Sequence, residues 1–202
     1  MIPVKPAGVG KSRLGVPTPV VRAIALDTIA AAAAATRVRR VIVVTDDAPL
    51  TDALTDALTD ALVGATRVDV APERGGSGLN AAVRLGLDAA GDVDRAVLLG
   101  DLPALRPADL DAALLAAESV GLGVVADAEG SGSTMITARA GATPAPSFGV
   151  GSFGLHRASG HVALDIPATS TLRHDVDTVP QLRTAATLGL GPHTAAALPP
   201  ST

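Results

Sequence analysis

Aromatic residues and cysteine are nearly or wholly missing from this 202-residue chain. It has two phenylalanines, Phe148 and Phe153, and no tryptophan, tyrosine or cysteine. Base stacking on aromatic platforms is therefore disfavoured, and neither disulfides nor thiolate metal sites can form. A formal net charge of −4 provides no broad basic surface for a nucleic-acid backbone. We expect no nucleic-acid partner.

Long hydrophobic runs are also missing. The alanine run at residues 30–35 is short and lies between Asp27 and Arg37, so it predicts neither a membrane span nor a signal peptide. We expect a cytoplasmic protein without a membrane partner. An apolar content of 48% is enough for one sizeable core. We expect a single domain at residues 1–188, and the Ala, Pro, Gly and Thr-rich residues 189–202 predict a flexible tail.

Short apolar runs alternate with helical patterns along the chain. The runs at 41–44, 96–101 and 122–127 are rich in Val and Leu, as expected of strands that are covered on both faces. Helices are predicted between and around them, at residues 19–35, 49–63, 78–90 and 107–119. This alternation predicts an α/β fold with a mostly parallel central sheet flanked by helices.

Carboxylates follow the predicted strands. Asp101 ends the run AVLLGD, at the sheet edge where ligands bind in open parallel sheets, although an aspartate before Leu-Pro can also simply begin a turn. Asp175 and Asp177 would point to the same side if their segment is extended. Paired carboxylates of this kind suit Mg²⁺. Helix capping by Asp177 or Thr178 is an alternative that does not exclude metal binding.

Four segments have the composition of anion-binding loops. KPAGVGKSRL, at residues 5–14, resembles a P-loop, but Lys5 stands where that motif needs glycine. GGSGLN, at 75–80, opens onto a predicted helix N-terminus, where the helix dipole favours anions. The Gly and Ser-rich segments 131–138 and 147–156 can form nests for phosphate or carboxylate. Each segment alone is also compatible with an ordinary loop.

The order of these motifs is more specific than any one of them. IPVKP…KSRL, GLN, GDLP, GSGST, FGVGSFGLH and DVDT, spread over residues 2–182, resemble the family of phosphoenolpyruvate or 2-phospholactate guanylyltransferases, which serve the biosynthesis of the deazaflavin coenzyme F-420. The resemblance implies a nucleotidyltransferase (Rossmann-like) fold with a GTP crevice. It implies GTP and a phosphorylated three-carbon acid as partners, and it allows a downstream pathway enzyme as a further partner.

The resemblance also implies roles for individual residues. The metal ligands for Mg²⁺ would be Asp101, Asp175 and Asp177. The nucleotide would be bound by Lys5, Lys11, Arg13, Gly78 and Asn80. The catalytic residues would be Lys11, Arg13 and Asp101, and the phosphorylated acid would be held by Thr134, Gly149 and Ser152. One departure is Ser133, where the family often has a second threonine, so the acid preference could shift.

The implied reaction needs no general base, because a substrate phosphate is already ionised at neutral pH. His156 and His174 are therefore interpreted as structural residues or substrate-side contacts. The acid could be phosphoenolpyruvate, 2-phospholactate or 3-phosphoglycerate. The alanine-rich composition suggests a GC-rich genome, and the resemblance then favours phosphoenolpyruvate, because family members from high-GC actinobacteria look more like users of that acid. Alternatives are a nucleotidyltransferase with another nucleotide or acceptor phosphate, a catalytically silent nucleotide-binding module, and a structural α/β protein without a site.

Overall fold

A computed structural model describes residues 1–6, 14–60, 66–73 and 78–198, without the side chains of residues 56–60. The strands in these residues are β1 Ile2–Pro3, β2 Arg40–Val44, β3 Arg67–Ala71, β4 Arg95–Leu98, β5 Leu122–Ala126, β6 Ser133–Ala138 and β7 Val162–Ala163. The helices are α1 Thr18–Ala34, α2 Ala48–Asp60, α3 Leu79–Ala90, α4 Pro107–Ala117, α5 Ser152–Ala158, α6 Val179–Leu188 and α7 Pro192–Ala197. A 3₁₀ turn spans Thr171–Arg173.

The strands form two ladders that meet at Met1. One ladder has the order β1-β2-β3 and the other the order β4-β6-β5-β7. Met1 joins them, because its amino group donates to Ala96 O at 2.6 Å and its carbonyl accepts from Leu98 N at 3.0 Å. This bonding pattern runs β1 parallel to β4. The resulting order, β3-β2-β1-β4-β6-β5-β7, places β1 and β4 at the centre of the sheet.

Both faces of the sheet are covered, as the apolar runs predict. Along β2, Val41 and Val43 pack with residues of α1, α2 and α4, whereas Ile42 and Val44 pack against α3. Successive strand residues point to opposite faces, so a strand between two helical layers must be apolar throughout. The pairs β1–β2, β2–β3 and β5–β7 are parallel. The prediction of a mostly parallel sheet flanked by helices is confirmed.

The segment at residues 131–138 differs from its prediction. Ser133–Ala138, which we expected to lie in a loop, forms β6 and is buried at every position. It runs antiparallel to β4 and to β5 and completes the hydrogen bonding of both. The glycines that suggest a loop lie before the strand, and the residues after Ser133 are β-branched or apolar.

Proline begins several helices. It lies in the first turn of α1, α4, α6 and α7. The first N–H groups of a helix have no partner within the helix, so proline, which has no N–H, loses no hydrogen bond there. The fixed φ of proline also suits the helix. No described helix is both long enough and apolar enough to cross a membrane.

Part of the predicted tail, residues 189–198, has defined secondary structure. Pro192–Ala197 forms α7, which packs against α1 through the buried carboxylate of Asp27. Asp27 accepts from His193 N at 3.0 Å and from Thr194 N at 2.7 Å. A carboxylate at a helix N-terminus accepts hydrogen bonds from the unpaired N–H groups and interacts favourably with the helix dipole. Composition could not show this contact, because the binding residue lies 166 positions earlier in the chain.

We expect Asp27→Ala to lower the unfolding free energy by about 1–3 kcal/mol, because two hydrogen bonds to a charged group are lost at once. For a chain of this size that corresponds to roughly 2–10 °C in Tm. Thermal denaturation measures the shift. The control is Asp88→Ala, which makes the same change at an exposed position of α3. An equal loss in both variants would contradict a specific role of Asp27 in binding α7.

Candidate active site

A cleft of about 440 Å³ opens at the carboxyl ends of the central strands. Six predicted site residues line it, namely Lys5, Asp101, Gly149, Ser152, Asp175 and Asp177. A larger cavity, about 910 Å³, lies at the opposite edge of the sheet. Its charged lining includes Arg37 and Arg139, which pair with Glu118 and Asp94, and it contains none of the predicted site residues that the structure describes. Ligands of open parallel sheets bind at the carboxyl edge, so the smaller cleft is the candidate site.

The backbone brings the acidic residues into this cleft. Val176, fully buried, donates its N–H to Asp101 O at 3.0 Å, which holds the segment of Asp175 and Asp177 against the end of β4. Asp175 and Asp177 flank Val176 and both line the cleft, as an extended segment predicts. Thr178, not Asp177, is the N-cap of α6, and its Oγ1 accepts from Gln181 N at 3.4 Å.

The carboxylates repel one another strongly. Burial, followed by the charges of Asp101, Asp177 and Asp127, raises the pKa of Asp175 to about 8. The group cannot be fully ionised at neutral pH unless a cation compensates the charge. Oxygen-only donors of this kind suit a hard divalent cation such as Mg²⁺. The residues present therefore fit the metal that the resemblance implies.

Asp127 belongs to this acidic group, although sequence reasoning missed it. Among the described residues, Asp127, Glu129 and Asp175 form a group in which one carboxylate oxygen of each lies within 4.8 Å of one oxygen of the other two. Of the predicted metal ligands, only Asp175 belongs to that group. The signal was present in the sequence, because Asp127 ends the run LGVVAD just as Asp101 ends AVLLGD.

Asp127 also shapes one wall of the cleft. Its Oδ1 accepts from Ser131 N at 2.9 Å and its Oδ2 from Gly132 N at 2.7 Å, so one side chain closes the turn between β5 and β6. A Cβ atom at position 132 would overlap Asp127 Oδ2, which explains the glycine. Arg173 supports the same turn from behind, where its Nη2 donates to Asp127 O at 2.8 Å.

The wall opposite the carboxylates is neutral. Gly149 and Gly151 have φ values of 134° and 70°, which side-chain-bearing residues rarely adopt. Their conformation lets the segment turn sharply into α5, where the buried Ser152 lines the cleft. The backbone N–H of Phe153 donates to Ser131 O at 3.2 Å and ties this segment to the turn held by Asp127.

Asn80 holds this wall in place. Its Oδ1 accepts from Phe148 N at 2.8 Å and its Nδ2 donates to Phe148 O at 3.0 Å. Asn80 and Gly78 themselves are outside the cleft lining, whereas Leu79 between them and Phe148 line it. The amide of Asn80 is thus committed to the backbone in this structure. Direct nucleotide contacts of Gly78 and Asn80 stay predictions.

Thr134 does not line the cleft, although it was predicted to hold the acid. It is fully buried in β6, and its Oγ1 has no hydrogen-bond partner among the described residues. Its neighbour Ser133 lines the cleft instead. Neighbouring strand residues point to opposite faces, and the loop that was predicted here concealed this alternation.

The remaining predicted residues belong to the N-terminal segment. Lys5 is exposed at the rim of the cleft. Lys11 and Arg13 lie outside the described residues, so their assignment to the nucleotide stays a prediction.

Curated relatives resemble this chain over nearly its whole length. A phosphoenolpyruvate guanylyltransferase of Streptomyces scabiei is 45% identical over 208 residues, covering 98% of this chain and 94% of the relative. The proteins of the same name from Sanguibacter keddieii and Geodermatophilus obscurus are 43% and 47% identical, covering 96% and 88% of this chain and 81% and 78% of those relatives. The chain belongs to the phosphoenolpyruvate guanylyltransferase family. A search against protein-family models found no match.

The fold expected for the phosphoenolpyruvate guanylyltransferase family is also seen in solved structures that resemble this chain. A nucleotidyl transferase from Methanothermobacter thermautotroptrophicus superposes with a TM-score of 0.52 at 18% identity, covering 93% of this chain and 96% of that one. The homologue of Mycobacterium tuberculosis rv0371c from mycobacterium sp. strain JC1 gives a TM-score of 0.54 at 17% identity, with the same coverage. The nucleotidyltransferase fold is thereby confirmed.

Proposed function

We propose that this chain transfers GMP from GTP to phosphoenolpyruvate and releases pyrophosphate, with Mg²⁺ as cofactor. The observation that carries the proposal is the cleft itself, which is lined by four aspartates and by a neutral Gly and Ser-rich wall. Asp101 and Asp127 follow strands, whereas Asp175 and Asp177 lie in the segment before α6. The names of the relatives supply the substrates of the proposal. We place the enzyme in the cytoplasm, and a role in F-420 biosynthesis stays an implication of the resemblance.

The chemistry that we propose is an in-line displacement. An oxygen of the phosphate of phosphoenolpyruvate forms a bond to the α-phosphorus of GTP, and the bond from that phosphorus to the oxygen bridging it to the β-phosphate breaks. Pyrophosphate takes the electron pair and leaves. Because the nucleophile is already an anion, no side chain has to remove a proton, and the main tasks of the protein are positioning and charge compensation.

Different residues of the cleft would perform these tasks. Asp101, Asp175 and Asp177 would hold Mg²⁺, with Asp127 beside them, and the ion would compensate charge on the phosphates when bound. Lys5 at the rim, together with Lys11 and Arg13, would lie against the triphosphate. Gly149, Ser152 and Ser133 would surround the phosphorylated acid, because backbone amides and hydroxyls bind a small anion without adding another net charge.

The test is pyrophosphate release with each of the four nucleoside triphosphates combined with phosphoenolpyruvate, 2-phospholactate or 3-phosphoglycerate. We expect release with GTP and phosphoenolpyruvate that requires Mg²⁺ and is lost in Asp175→Asn. Release with GTP and a different acid would correct the acid alone. Turnover only with another nucleotide, or with none, would overturn the proposal.

We expect Lys11→Ala and Arg13→Ala each to weaken GTP binding about ten- to hundredfold, because a charge-assisted hydrogen bond to phosphate contributes roughly 1.5–3 kcal/mol. Binding of phosphoenolpyruvate should change far less. Calorimetric titration with each ligand measures both effects, and Arg84→Ala, at an exposed position of α3, is the control for removing a cation. Unchanged GTP affinity in both variants would contradict the assignment.

A further inference from the structure

We propose that His156 is a positioning residue that fixes the hydroxyl of Ser133 as a hydrogen-bond donor to an anionic oxygen of the phosphorylated acid. The inference rests on the proposed function of the same cleft. Ser133 and His156 are two buried side chains in contact, with Ser133 Oγ 3.0 Å from His156 Nδ1. Ser133 also lines the cleft, whereas His156 is fully buried behind it.

The second contact of the ring decides where its proton lies. His156 Nε2 is 2.9 Å from the backbone nitrogen of Ser147, and a backbone N–H can only donate. Nε2 must therefore carry a lone pair, which makes the ring neutral and places its single proton on Nδ1. That proton points at Ser133 Oγ, so the serine oxygen accepts.

The surroundings of the ring favour the same state. Phe148 packs edge-on against it with ring centroids 4.9 Å apart, and His161 lies against it at 5.3 Å. Burial, followed by the charge of His161, lowers the pKa of His156 to about 4. The imidazole therefore stays neutral throughout the physiological range, and the tautomer set by Ser147 persists.

A serine oxygen that accepts from His156 has its own proton left to donate. Among the described residues, the structure gives that proton no other acceptor, and Ser133 faces the cleft beside Gly132 and Ser152. A carboxylate or an ionised phosphate offers only acceptor oxygens. The hydrogen-bond chain from Ser147 through His156 to Ser133 thus ends in a donor suited to an anion.

The ring also links two parts of the acid-binding wall. Ser133 begins β6. Ser147 precedes Phe148, whose backbone is held by Asn80. His156 contacts both segments with its two nitrogens, so its orientation and theirs are mutually fixed. The sequence predicts that His156 is a structural residue or a substrate-side contact, whereas its contact with Ser133 gives it an indirect role toward the substrate.

The first test is the tautomer in the wild-type protein, which needs no variant to remain folded. Nitrogen-15 spectra of histidine-labelled protein distinguish a protonated Nδ1 from a protonated Nε2. With four histidines in the chain, the resonance is assigned by its loss in His156→Gln. We expect a neutral ring with the proton on Nδ1 at neutral pH. An imidazolium, or a proton on Nε2, would overturn the proposal.

The second test is the Michaelis constant for phosphoenolpyruvate. We expect Ser133→Ala to raise it about two- to tenfold, the cost of one neutral hydrogen bond, and to leave the KM for GTP unchanged. Ser133→Thr should restore it. Thr137→Val is the matched control, because it removes a hydroxyl from the same strand, β6, at a position outside the cleft lining. Equal effects of Ser133→Ala and Thr137→Val would overturn the role of Ser133.

The third test separates positioning from simple packing. His156→Asn can keep a donor near the position of Nδ1, whereas His156→Gln moves its polar group toward the position of Nε2. We expect the Asn variant to have the lower KM for phosphoenolpyruvate, and we expect this difference to vanish in the Ser133→Ala background. A difference that persists there would show that His156 does not act through Ser133. If the wild type releases no pyrophosphate, the proposed function fails, and calorimetric titration with phosphoenolpyruvate replaces KM in the same comparisons.

Discussion

Asp175→Asn is expected to abolish turnover and, at the same time, to stabilise the metal-free protein. Asparagine keeps the shape of the side chain but loses a charge that compensates a divalent cation, and the expected fall in kcat is roughly 10²–10⁴-fold. Without metal, the same change removes a buried charge and its repulsion with Asp101, Asp177 and Asp127, which together raise the pKa of Asp175 to about 8. We expect a gain on the order of 1–3 kcal/mol at pH 8, or roughly 2–10 °C in Tm.

The pH dependence of stability provides a second measurement of this effect. The pKa of Asp175 is raised in the folded state, so the folded protein binds the proton more tightly than the unfolded chain does. The contribution of Asp175 to stability is therefore complete below about pH 4 and is lost as the pH rises to about 8. Asp175→Asn should remove this decline in metal-free protein, and saturating Mg²⁺ should reduce it in the wild type.

The matched control is Asp165→Asn, the same change at an exposed residue outside the cleft. It should alter neither turnover nor the pH profile of Tm. Near-wild-type turnover of Asp175→Asn at limiting Mg²⁺ would contradict the metal assignment. A lower Tm of metal-free Asp175→Asn at pH 8 would contradict the repulsion.

The parts of the fold that were predictable are those that a local pattern determines. The run VIVV at residues 41–44 is apolar on both faces and lies in β2, and the helix candidates at 78–90 and 107–119 correspond to α3 and α4 within a few residues. β3 was missed because Arg67 and Asp69 interrupt its apolar residues, and these two side chains pair with each other at 2.7 Å. α5 was missed because SFGLHRA contains a glycine and spans only seven residues.

The site was predictable where chain position alone places a side chain. Asp101 lies at a strand end, and Asp175 and Asp177 share one side of an extended segment, so both inferences needed only strand geometry. The contact of His156 with Ser133 spans 23 positions, and its tautomer depends on the N–H of Ser147, so no local pattern contains it. The side of the sheet to which the Thr134 side chain points follows from strand geometry. Because the sequence predicts a loop at β6, this orientation could not be predicted.

Asp127 is the residue whose importance the structure adds, because its carboxylate has two tasks. Its carboxylate contributes negative charge to the cleft and also binds the N–H groups of Ser131 and Gly132. The turn closed by these bonds leads directly into Ser133. Loss of the carboxylate therefore removes charge from the metal side of the cleft and support from the acid side.

We accordingly expect Asp127→Ala to lower kcat/KM roughly 10²–10³-fold, since two hydrogen bonds to a charged group, each contributing about 1.5–3 kcal/mol, disappear together. Steady-state kinetics should show both a lower kcat and a higher KM for phosphoenolpyruvate. Glu129→Ala is the control, because this exposed carboxylate belongs to the same acidic group but is bound by Gln181 Nε2 at 2.9 Å rather than by the turn. We expect it to cost less than about tenfold. A larger loss in Glu129→Ala than in Asp127→Ala would show that proximity to Asp175, and not support of the turn, determines what these carboxylates contribute.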